Sequence, residues 1–360
     1  MIQVAKPLLG EEEKEAVCRV IDSGMIANGA VVAEFENKFA QYIGKDYGIA
    51  TTSGTTALEV AFRALGIGSG DKVLTTPFSF IATANAIIYA GATPVFADID
   101  PETYNIDPVK ADEVLKATPS IKAVLLVHLF GRSCNMDAFG ALSNKHNVPL
   151  LEDCAQCHGS TWNNQKAGSF GVMSCFSFYP TKNMATGEGG MVLTDDPEIA
   201  KKCRLLINHG MEVRYYHDMI GYNYRMTNIA AAIGLCQLDK LPSMNASRKK
   251  AAAYYDANIR NELVITPRPD EGHVYHQYTV KVKKGLRDSF IKHLTEKQIG
   301  HGVFYPLTIP EQKCYASFGF NANYSVADTL KTQVVSLPVH PGLSDTEICM
   351  VAEAVNTFKR

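Results

Sequence analysis

Val148-Pro149-Leu150-Leu151-Glu152-Asp153 is an apolar run that ends in two carboxylates. Its length and composition predict a strand that is buried on both faces of a sheet. Similar runs occur at Ala123-Val124-Leu125-Leu126-Val127-His128 and at Thr93-Pro94-Val95-Phe96-Ala97-Asp98, and helical patterns separate them. Strands that alternate with helices predict an α/β protein with a mostly parallel sheet covered by helices. Because ligands bind beyond the carboxyl ends of such strands, Asp153 lies at a predicted small-molecule site.

The same alternation extends through the first two thirds of the chain, and a second unit follows. The helical pattern of residues 228–241 is strong, and we expect it to end before Pro242, with a basic helix around residues 248–250 next. We therefore predict a large domain over residues 1–244, which includes the N-terminal segment, and a smaller C-terminal α+β domain over residues 245–360. The other predicted elements are strands at 48–50, 71–77 and 278–282, and helices at 54–64, 82–90, 286–297 and 346–358.

Composition excludes several classes of protein. The chain has 360 residues, of which 46% are hydrophobic and 20% charged, and its net charge is −2. This charge gives no electrostatic attraction to nucleic acid or to an anionic membrane surface. No apolar run of about 18 residues exists, and from residues 1–7 we expect no signal peptide. Nine scattered cysteines, including a lone C-x-x-C at Cys154 and Cys157, indicate reduced thiols in a cytoplasmic protein without a metal site.

Lys182 lies between a short aromatic run and a glycine-rich turn in Ser177-Phe178-Tyr179-Pro180-Thr181-Lys182-Asn183-Met184-Ala185-Thr186-Gly187-Glu188-Gly189-Gly190. A lysine attacks an aldehyde only as the neutral amine, and partial burial lowers its pKa toward that form. The glycines let the backbone approach a flat ring closely. Taken alone, Lys182 is better interpreted as a surface lysine on a loop, so a catalytic role depends on other features of the chain.

Three other features match the needs of one cofactor. Ser53-Gly54-Thr55-Thr56-Ala57-Leu58 opens a helix and suits a phosphate, although a plain helix cap is the alternative. Phe80 follows a strand and offers a face for ring stacking, unless it packs in the core. Asp153 can pair with a protonated ring nitrogen or cap a helix, and Gln156 can reach a neighbouring ring substituent. With the aldehyde-reactive Lys182, these features together indicate pyridoxal 5′-phosphate.

Ordered motifs along nearly the whole chain resemble the DegT/DnrJ/EryC1/StrS sugar aminotransferases. This family has fold type I of the aspartate aminotransferase superfamily, which implies a seven-stranded, mostly parallel sheet between helices. The matching segments are residues 23–29, 34–36, 53–58, 68–71, 79–87, 94–100, 152–156, 177–191, 221–227 and 337–341.

The resemblance implies a role for each matching residue. Lys182 matches the lysine that holds the cofactor as an internal aldimine and shuttles protons, and Asp153 matches the carboxylate on the ring nitrogen. Phe80 matches the stacking residue, and Gln156 the residue near the phenolic oxygen of the ring. The remaining matches are Gly54, Thr55 and Ser177 in the phosphate cradle, and Asn223 as an asparagine that reaches the phosphate of the other subunit of a homodimer with shared active sites. Arg225, which lies beside Asn223 in the sequence, is a candidate contact to a substrate phosphate. The loop residues Met25, Tyr222 and Tyr305 are candidate substrate contacts, with packing as an equal alternative for each.

The family implies a ping-pong transamination in which an amino donor, expected to be L-glutamate, supplies nitrogen to a nucleotide-linked keto sugar for polysaccharide or antibiotic biosynthesis. The alternatives are a sugar dehydratase of the same family, which has histidine at the position of Lys182, and a non-catalytic cofactor-binding regulator. Two departures from the family pattern occur. Asn228 replaces an acidic residue, which we expect to change only the start of a helix, and Cys154 and Cys157 replace residues that are more often alanine.

Overall fold

The structure is a computed structural model that describes residues 1–320 and 323–360. Helices and strands alternate as far as residue 153, whereas the sequence predicts alternation through the first two thirds of the chain; between residues 150 and 194 five strands follow one another without a helix between them. The helices are α1 (Glu11–Asp22), α2 (Ala30–Ile43), α3 (Gly54–Ala64), α4 (Ala82–Tyr89), α5 (Pro108–Ala117), α6 (Met136–His146), α7 (Pro197–Ile207), α8 (Asn228–Asn258), α9 (Arg287–Glu296), α10 (Ser325–Leu330) and α11 (Asp345–Asn356). The strands are β1 (Tyr47–Thr51), β2 (Lys72–Thr75), β3 (Thr93–Phe96), β4 (Ile121–Val127), β5 (Leu150–Asp153), β6 (Thr161–Trp162), β7 (Gln165–Lys166), β8 (Met173–Ser177), β9 (Gly190–Thr194), β10 (Val264–Ile265), β11 (Tyr278–Val282) and β12 (Val334–Leu337).

The main sheet has seven strands in the order β1-β9-β8-β5-β4-β2-β3. Strands β8, β5, β4, β2 and β3 pair in parallel, whereas β9 is antiparallel to both of its neighbours. Strands β1 and β8 therefore point in the same direction on either side of β9. This arrangement confirms the predicted α/β fold with a seven-stranded, mostly parallel sheet. It also brings the carboxyl ends of β1, β2, β4, β5 and β8 to one edge.

Helices cover both faces of the main sheet, and its strands are correspondingly apolar. Every residue of β5, β8 and β9 is buried, as expected for strands whose two faces are both covered. Helix α3 packs on one face, where Phe62 and Val60 are inaccessible to solvent among residues of β4, β8 and β9. Helix α2 and the start of α8 pack on the opposite face, around Phe35 and Phe39. Burial of these side chains fixes the sheet edge relative to the helices that begin there.

The C-terminal part of the chain contains the antiparallel sheet β10-β11-β12 with α9 and α11 packed on it. The prediction that a helix ends before Pro242 is wrong, because α8 runs through this proline to Asn258. Proline removes one backbone N–H and normally weakens a helix interior. Packing on both sides of Pro242 offsets this loss: Leu241 and Met244 are buried beside α2, and Tyr255 lies in the C-terminal core.

Continuous helix α8 therefore joins the two parts of the chain, and the division at residues 244 and 245 remains a prediction. Over residues 1–320 and 323–360, no helix combines the length and the apolar character needed to cross a membrane.

Candidate active site

Five elements place the predicted site residues at the carboxyl edge of the main sheet. Strand β5 ends at Asp153 and β8 ends at Ser177. The turn after β1 leads directly into α3, and the loop after β2 carries Phe80. Because the strands are parallel, these groups lie at one edge although the turn after β1 and Ser177 are more than a hundred residues apart in the chain. This edge is the position at which the sequence predicts a ligand.

The start of helix α3 forms a cradle with the end of β8. Ser53 caps the helix: its hydroxyl accepts a hydrogen bond from the Thr56 N–H at 3.2 Å, and the Thr56 hydroxyl accepts one from the Ser53 N–H at 3.0 Å. The N–H groups of Gly54 and Thr55, like all first-turn N–H groups, have no acceptor within their own helix. A Cβ atom on Gly54 would lie 2.6 Å from the Cβ atom of Ser177. Only glycine lets the helix start approach Ser177 so closely, and the resulting concave surface of N–H and hydroxyl groups suits a phosphate.

Asp153 is almost completely buried, with 5% of its surface exposed. Its Oδ1 accepts a hydrogen bond from the Ala155 N–H at 3.2 Å, and its Oδ2 accepts one from the Thr83 hydroxyl at 2.9 Å. Burial raises the pKa of Asp153, while these two donors and the positive charge of Lys182 act in the opposite direction. A carboxylate held in this way can receive a proton or pair with a cation through its remaining lone pairs.

Lys182 follows β8 and is half-buried. Burial lowers its pKa from 10.5 to about 8, and the negative charge of Asp153 opposes this shift only in part. A lysine with this pKa has a substantial neutral fraction near neutral pH, as a nucleophile or general base requires. The structure thus brings Lys182 and Asp153 together, as the sequence predicts for both residues.

The residue after the lysine is anchored to the C-terminal part of the chain. The Asn183 amide donates to Asn245 Oδ1 at 2.9 Å and to the Val274 carbonyl at 3.2 Å, and His276 Nδ1 lies 3.1 Å from Asn183 Oδ1. Asn183, Asn245 and His276 are all buried. These contacts fix the backbone beside Lys182 against helix α8 and the segment before β11. Sequence reasoning gave Asn183 no role, since its partners lie 62 to 93 residues away.

Phe80, Gln156 and Tyr305 form the side of the site. Phe80 exposes 54% of its surface, and its ring centroid lies 6.2 Å from that of Tyr305. Gln156 is held by the Phe130 N–H, which donates to its Oε1 at 2.7 Å, and its Nε2 donates to the Tyr305 hydroxyl at 3.2 Å. The amide nitrogen has a second hydrogen to donate. The exposed ring of Phe80 and this second N–H are both available to a flat, oxygen-bearing ring.

The remaining predicted residues lie at different distances from this edge. Arg225 forms a backbone bridge with Thr51, next to the helix cap, and its guanidinium donates to Asn208 Oδ1 at 2.6 Å. Asn223 is exposed on the same segment, and Met25 exposes 66% of its surface. Tyr222 instead stacks on Tyr224, at 4.8 Å between ring centroids, and Arg63 covers its ring. Its side chain therefore packs against helix α3, and its assignment as a substrate contact stays a prediction.

Asn228 does more than start a helix, so that expectation is wrong. Thr227 caps α8, while the buried Asn228 amide donates to the Met25 carbonyl at 2.7 Å and accepts from the Val32 N–H at 3.1 Å. An acidic residue would accept the second bond but could not donate the first. Asn228 thus fixes the backbone of the exposed Met25 segment against helix α2.

Two cysteines lie beneath Asp153. The ligand atoms of His128, Cys154 and Cys157 all lie within 4.8 Å of one another, and all three residues are buried. Both nitrogens of His128 already have partners, since Nδ1 accepts the Cys134 N–H at 3.0 Å and Nε2 lies 2.9 Å from Glu152 Oε2. Burial also raises the pKa of both C-x-x-C thiols. The hydrogen bonds of His128 and the raised pKa values of the two thiols give no support to a metal site at this cluster.

Comparison with known proteins agrees with this geometry. Residues 7–356 match the DegT/DnrJ/EryC1/StrS aminotransferase family. The chain is 38% identical to GDP-perosamine synthase of Caulobacter vibrioides, over 99% of this chain and 97% of the relative. It is also 38% identical to dTDP-3-amino-3,6-dideoxy-alpha-D-galactopyranose transaminase of Aneurinibacillus thermoaerophilus, over 97% and 95% of the two chains.

Solved structures show the same fold. PseC of Helicobacter pylori, an aminotransferase involved in the biosynthesis of pseudoaminic acid, superposes with a TM-score of 0.94 at 29% identity and covers 98% of both chains. Spr1654 of Streptococcus pneumoniae, solved in its pyridoxal phosphate (PLP) form, superposes with a TM-score of 0.93 at 28% identity and covers 99% of this chain and 98% of that one. Together these matches confirm the predicted aminotransferase activity and the pyridoxal phosphate cofactor. The chain belongs to the DegT/DnrJ/EryC1/StrS aminotransferase family.

Proposed function

We propose that the protein transfers an amino group from L-glutamate to a keto sugar carried on a nucleotide, by a ping-pong mechanism. The observation that carries the proposal is Lys182, whose pKa is lowered to about 8 beside the buried Asp153 and the cradle of α3. The relatives named above act on GDP-linked and dTDP-linked sugars, which supports a nucleotide sugar as acceptor but does not select the nucleotide.

The residues at the sheet edge fit pyridoxal phosphate. The absence of a side chain at Gly54 leaves room beside Ser177 for a phosphate at the first N–H groups of α3. Phe80 presents an exposed ring face, and the buried Asp153 can pair with a ring nitrogen. When bound, the cofactor supplies an electrophilic aldehyde carbon and a ring that withdraws electrons from the reacting centre.

The residues of the chain then have separate tasks. Lys182 Nζ acts as general base at the α-carbon of the amino donor and afterwards as general acid, for which a pKa of about 8 is suited. Asp153 would pair with the ring nitrogen of the bound cofactor and favour its positive charge, and Gln156, whose Oε1 is held by the Phe130 N–H, would donate its second amide hydrogen to the phenolic oxygen. We assign Gly54, Thr55 and Ser177 to the phosphate, and Met25, Arg225 and Tyr305 to the sugar nucleotide.

Two half-reactions can be measured separately. We expect the holoenzyme, given L-glutamate and no acceptor, to release about one 2-oxoglutarate per active site and then stop, as a ping-pong mechanism requires. Addition of 3-keto or 4-keto sugars linked to UDP, dTDP or GDP should restart release for one of them. Failure to form 2-oxoglutarate, while another amino acid reacts, would exclude glutamate as donor. Release that needs both substrates at once would exclude the ping-pong order.

Lys182 also separates this proposal from the alternatives. A dehydratase of the family has histidine at this position, so the lysine favours transamination. A non-catalytic regulator would bind the cofactor but would leave its visible absorption band unchanged on addition of any amino acid. The first half-reaction therefore distinguishes an aminotransferase from a regulator without knowledge of the sugar.

We further propose a homodimer in which Asn223 reaches the phosphate of the partner subunit. Its exposed position in the single chain supports this role. Mixing a Lys182→Ala protein with an Asn223→Ala protein tests it, because a heterodimer then contains one site with both residues intact. We expect the mixture to regain transaminase activity that neither variant has at the same cofactor concentration. If each site used its own Asn223, the mixture would show only the sum of the two variants.

A further inference from the structure

Thr83 connects helix α4 to the carboxylate of Asp153. Its side chain is buried, with 1% of its surface exposed. The Thr83 hydroxyl donates a hydrogen bond to Asp153 Oδ2 at 2.9 Å, and the Ser79 hydroxyl lies 3.0 Å from Thr83 Oγ1. The three side chains form a buried row that begins at the loop carrying the exposed Phe80.

The direction of these hydrogen bonds follows from the number of hydrogens that each side chain can donate. A threonine hydroxyl has a single hydrogen, and an ionised carboxylate can only accept. Since Thr83 gives its hydrogen to Asp153, Ser79 must donate to Thr83. With the Ala155 N–H on Oδ1, each oxygen of Asp153 has one donor from the protein and a lone pair left for a further partner.

We propose that Thr83 is a positioning residue that keeps Asp153 ionised and turned toward the ring nitrogen of the cofactor, and that Ser79 orients the Thr83 hydroxyl. This inference rests on the assignment of Asp153 made under Proposed function. It adds a positioning role for Thr83, which the sequence pattern did not predict.

Loss of the Thr83 hydroxyl would change where protons are held on the bound cofactor. Other titratable groups that interact with Asp153 are Lys182, His128, Tyr305 and the buried thiols of Cys154, Cys157 and Cys175. Without the Thr83 hydroxyl, the buried carboxylate would hold a proton more strongly and draw it from the ring nitrogen. A less positive ring leaves the proton on the Lys182 nitrogen more tightly bound. The pH midpoint of the visible absorption band of the lysine-bound cofactor then moves upward.

The test compares four proteins loaded with pyridoxal phosphate. Thr83→Val removes the hydroxyl and keeps the shape, and Thr83→Ser keeps the hydroxyl. Thr279→Val is the matched control, because it removes a buried hydroxyl that contacts Ser336 in the C-terminal sheet. Relative to wild type, we expect the midpoint of Thr83→Val to rise by about half a pH unit or more. The midpoints of Thr83→Ser and Thr279→Val should stay at the wild-type value, and Thr83→Val should also lower the affinity for pyridoxal phosphate in equilibrium dialysis.

An unchanged midpoint in folded Thr83→Val would overturn the inference, as would an equal shift in Thr279→Val. If Thr83→Val gives no cooperative thermal unfolding, Ser79→Ala takes its place: a smaller upward shift supports the inference, and no shift overturns it. The Asp153→Asn variant distinguishes a wrong role for Asp153 from a wrong role for Thr83. If Asp153→Asn leaves the midpoint unchanged, the role of Asp153 itself is wrong. If Asp153→Asn shifts it and the Thr83 and Ser79 variants do not, only the role of Thr83 is wrong.

Discussion

The lowered pKa of Lys182 makes the capture of the cofactor strongly dependent on pH. Burial brings this pKa from 10.5 to about 8. At pH 7.5 about a quarter of the molecules then carry the neutral amine, compared with roughly one in a thousand for an unperturbed lysine. We therefore expect the cofactor-free protein to bind pyridoxal phosphate at a rate that rises with pH, with a midpoint near 8 and a plateau above about pH 9. Growth of the visible band after rapid mixing measures this rate.

A substitution of Asp153 tests the same pKa independently. Because the charge of Asp153 raises the pKa of Lys182, Asp153→Asn should move the midpoint below that of wild type. Glu188→Gln, which changes an exposed carboxylate six residues after the lysine, is the control and should leave the midpoint unchanged. The rate for a simple amine, measured over the same range, corrects for titration of the cofactor. A corrected rate that still rises tenfold per pH unit at pH 9.5 would refute the account of Lys182.

Other substitutions test the cradle, the Met25 segment and the buried end of β5. Gly54→Ala places a Cβ atom 2.6 Å from the Cβ atom of Ser177, and we expect equilibrium dialysis to show at least about tenfold weaker cofactor binding. Asn228→Asp loses the donor to the Met25 carbonyl in a buried place, which should lower the free energy of unfolding by about 1–3 kcal/mol in urea titrations. Burial raises the pKa of Glu152, but the groups that donate hydrogen bonds to its carboxylate have a larger effect. The pKa of Glu152 therefore lies below its usual value of 4.5. The ionised carboxylate thus stabilises the fold at neutral pH, and wild type should lose more stability below pH 4.5 than Glu152→Gln.

Matched variants give the first two of these predictions a control. Gly140→Ala adds a Cβ atom in helix α6 that meets no atom within 4 Å apart from its chain neighbours and the backbone of its own helix, so cofactor binding should be unchanged. Asn258→Asp removes an amide that donates to the Tyr254 carbonyl on an exposed surface, and it should cost much less stability than Asn228→Asp. Equal losses in the two asparagine variants would contradict the role of Asn228. Parallel pH curves for wild type and Glu152→Gln would contradict the role of Glu152.

Features that are local in sequence were predictable. An apolar run that ends in Asp153, a helix that opens at Ser53 and Gly54, and a lysine followed by glycines each carry their signal within a few residues. Parallel strands then bring these segments together, since a βαβ arrangement has one carboxyl edge. The strands predicted around residues 93–98, 123–128 and 148–153 are all present in the sheet, with bounds that differ by a few residues.

Features that depend on distant partners could not be predicted. The bond between Asn228 and Met25 spans 203 residues, and that between Asn183 and His276 spans 93. No periodicity or spacing reports such a pair. The predicted helix end before Pro242 is wrong for a related reason. Local propensity favours a helix end there, but packing on both sides of the proline keeps α8 continuous.

The central claim is that Lys182 binds the cofactor covalently. Reduction of the holoenzyme with borohydride fixes the lysine-bound cofactor, and peptide mapping by mass spectrometry then locates it. We predict one phosphopyridoxyl group per chain, on the peptide that contains Lys182, and none in the Lys182→Ala variant. A group on another lysine, or none at all in a protein that shows the visible band, would contradict the account.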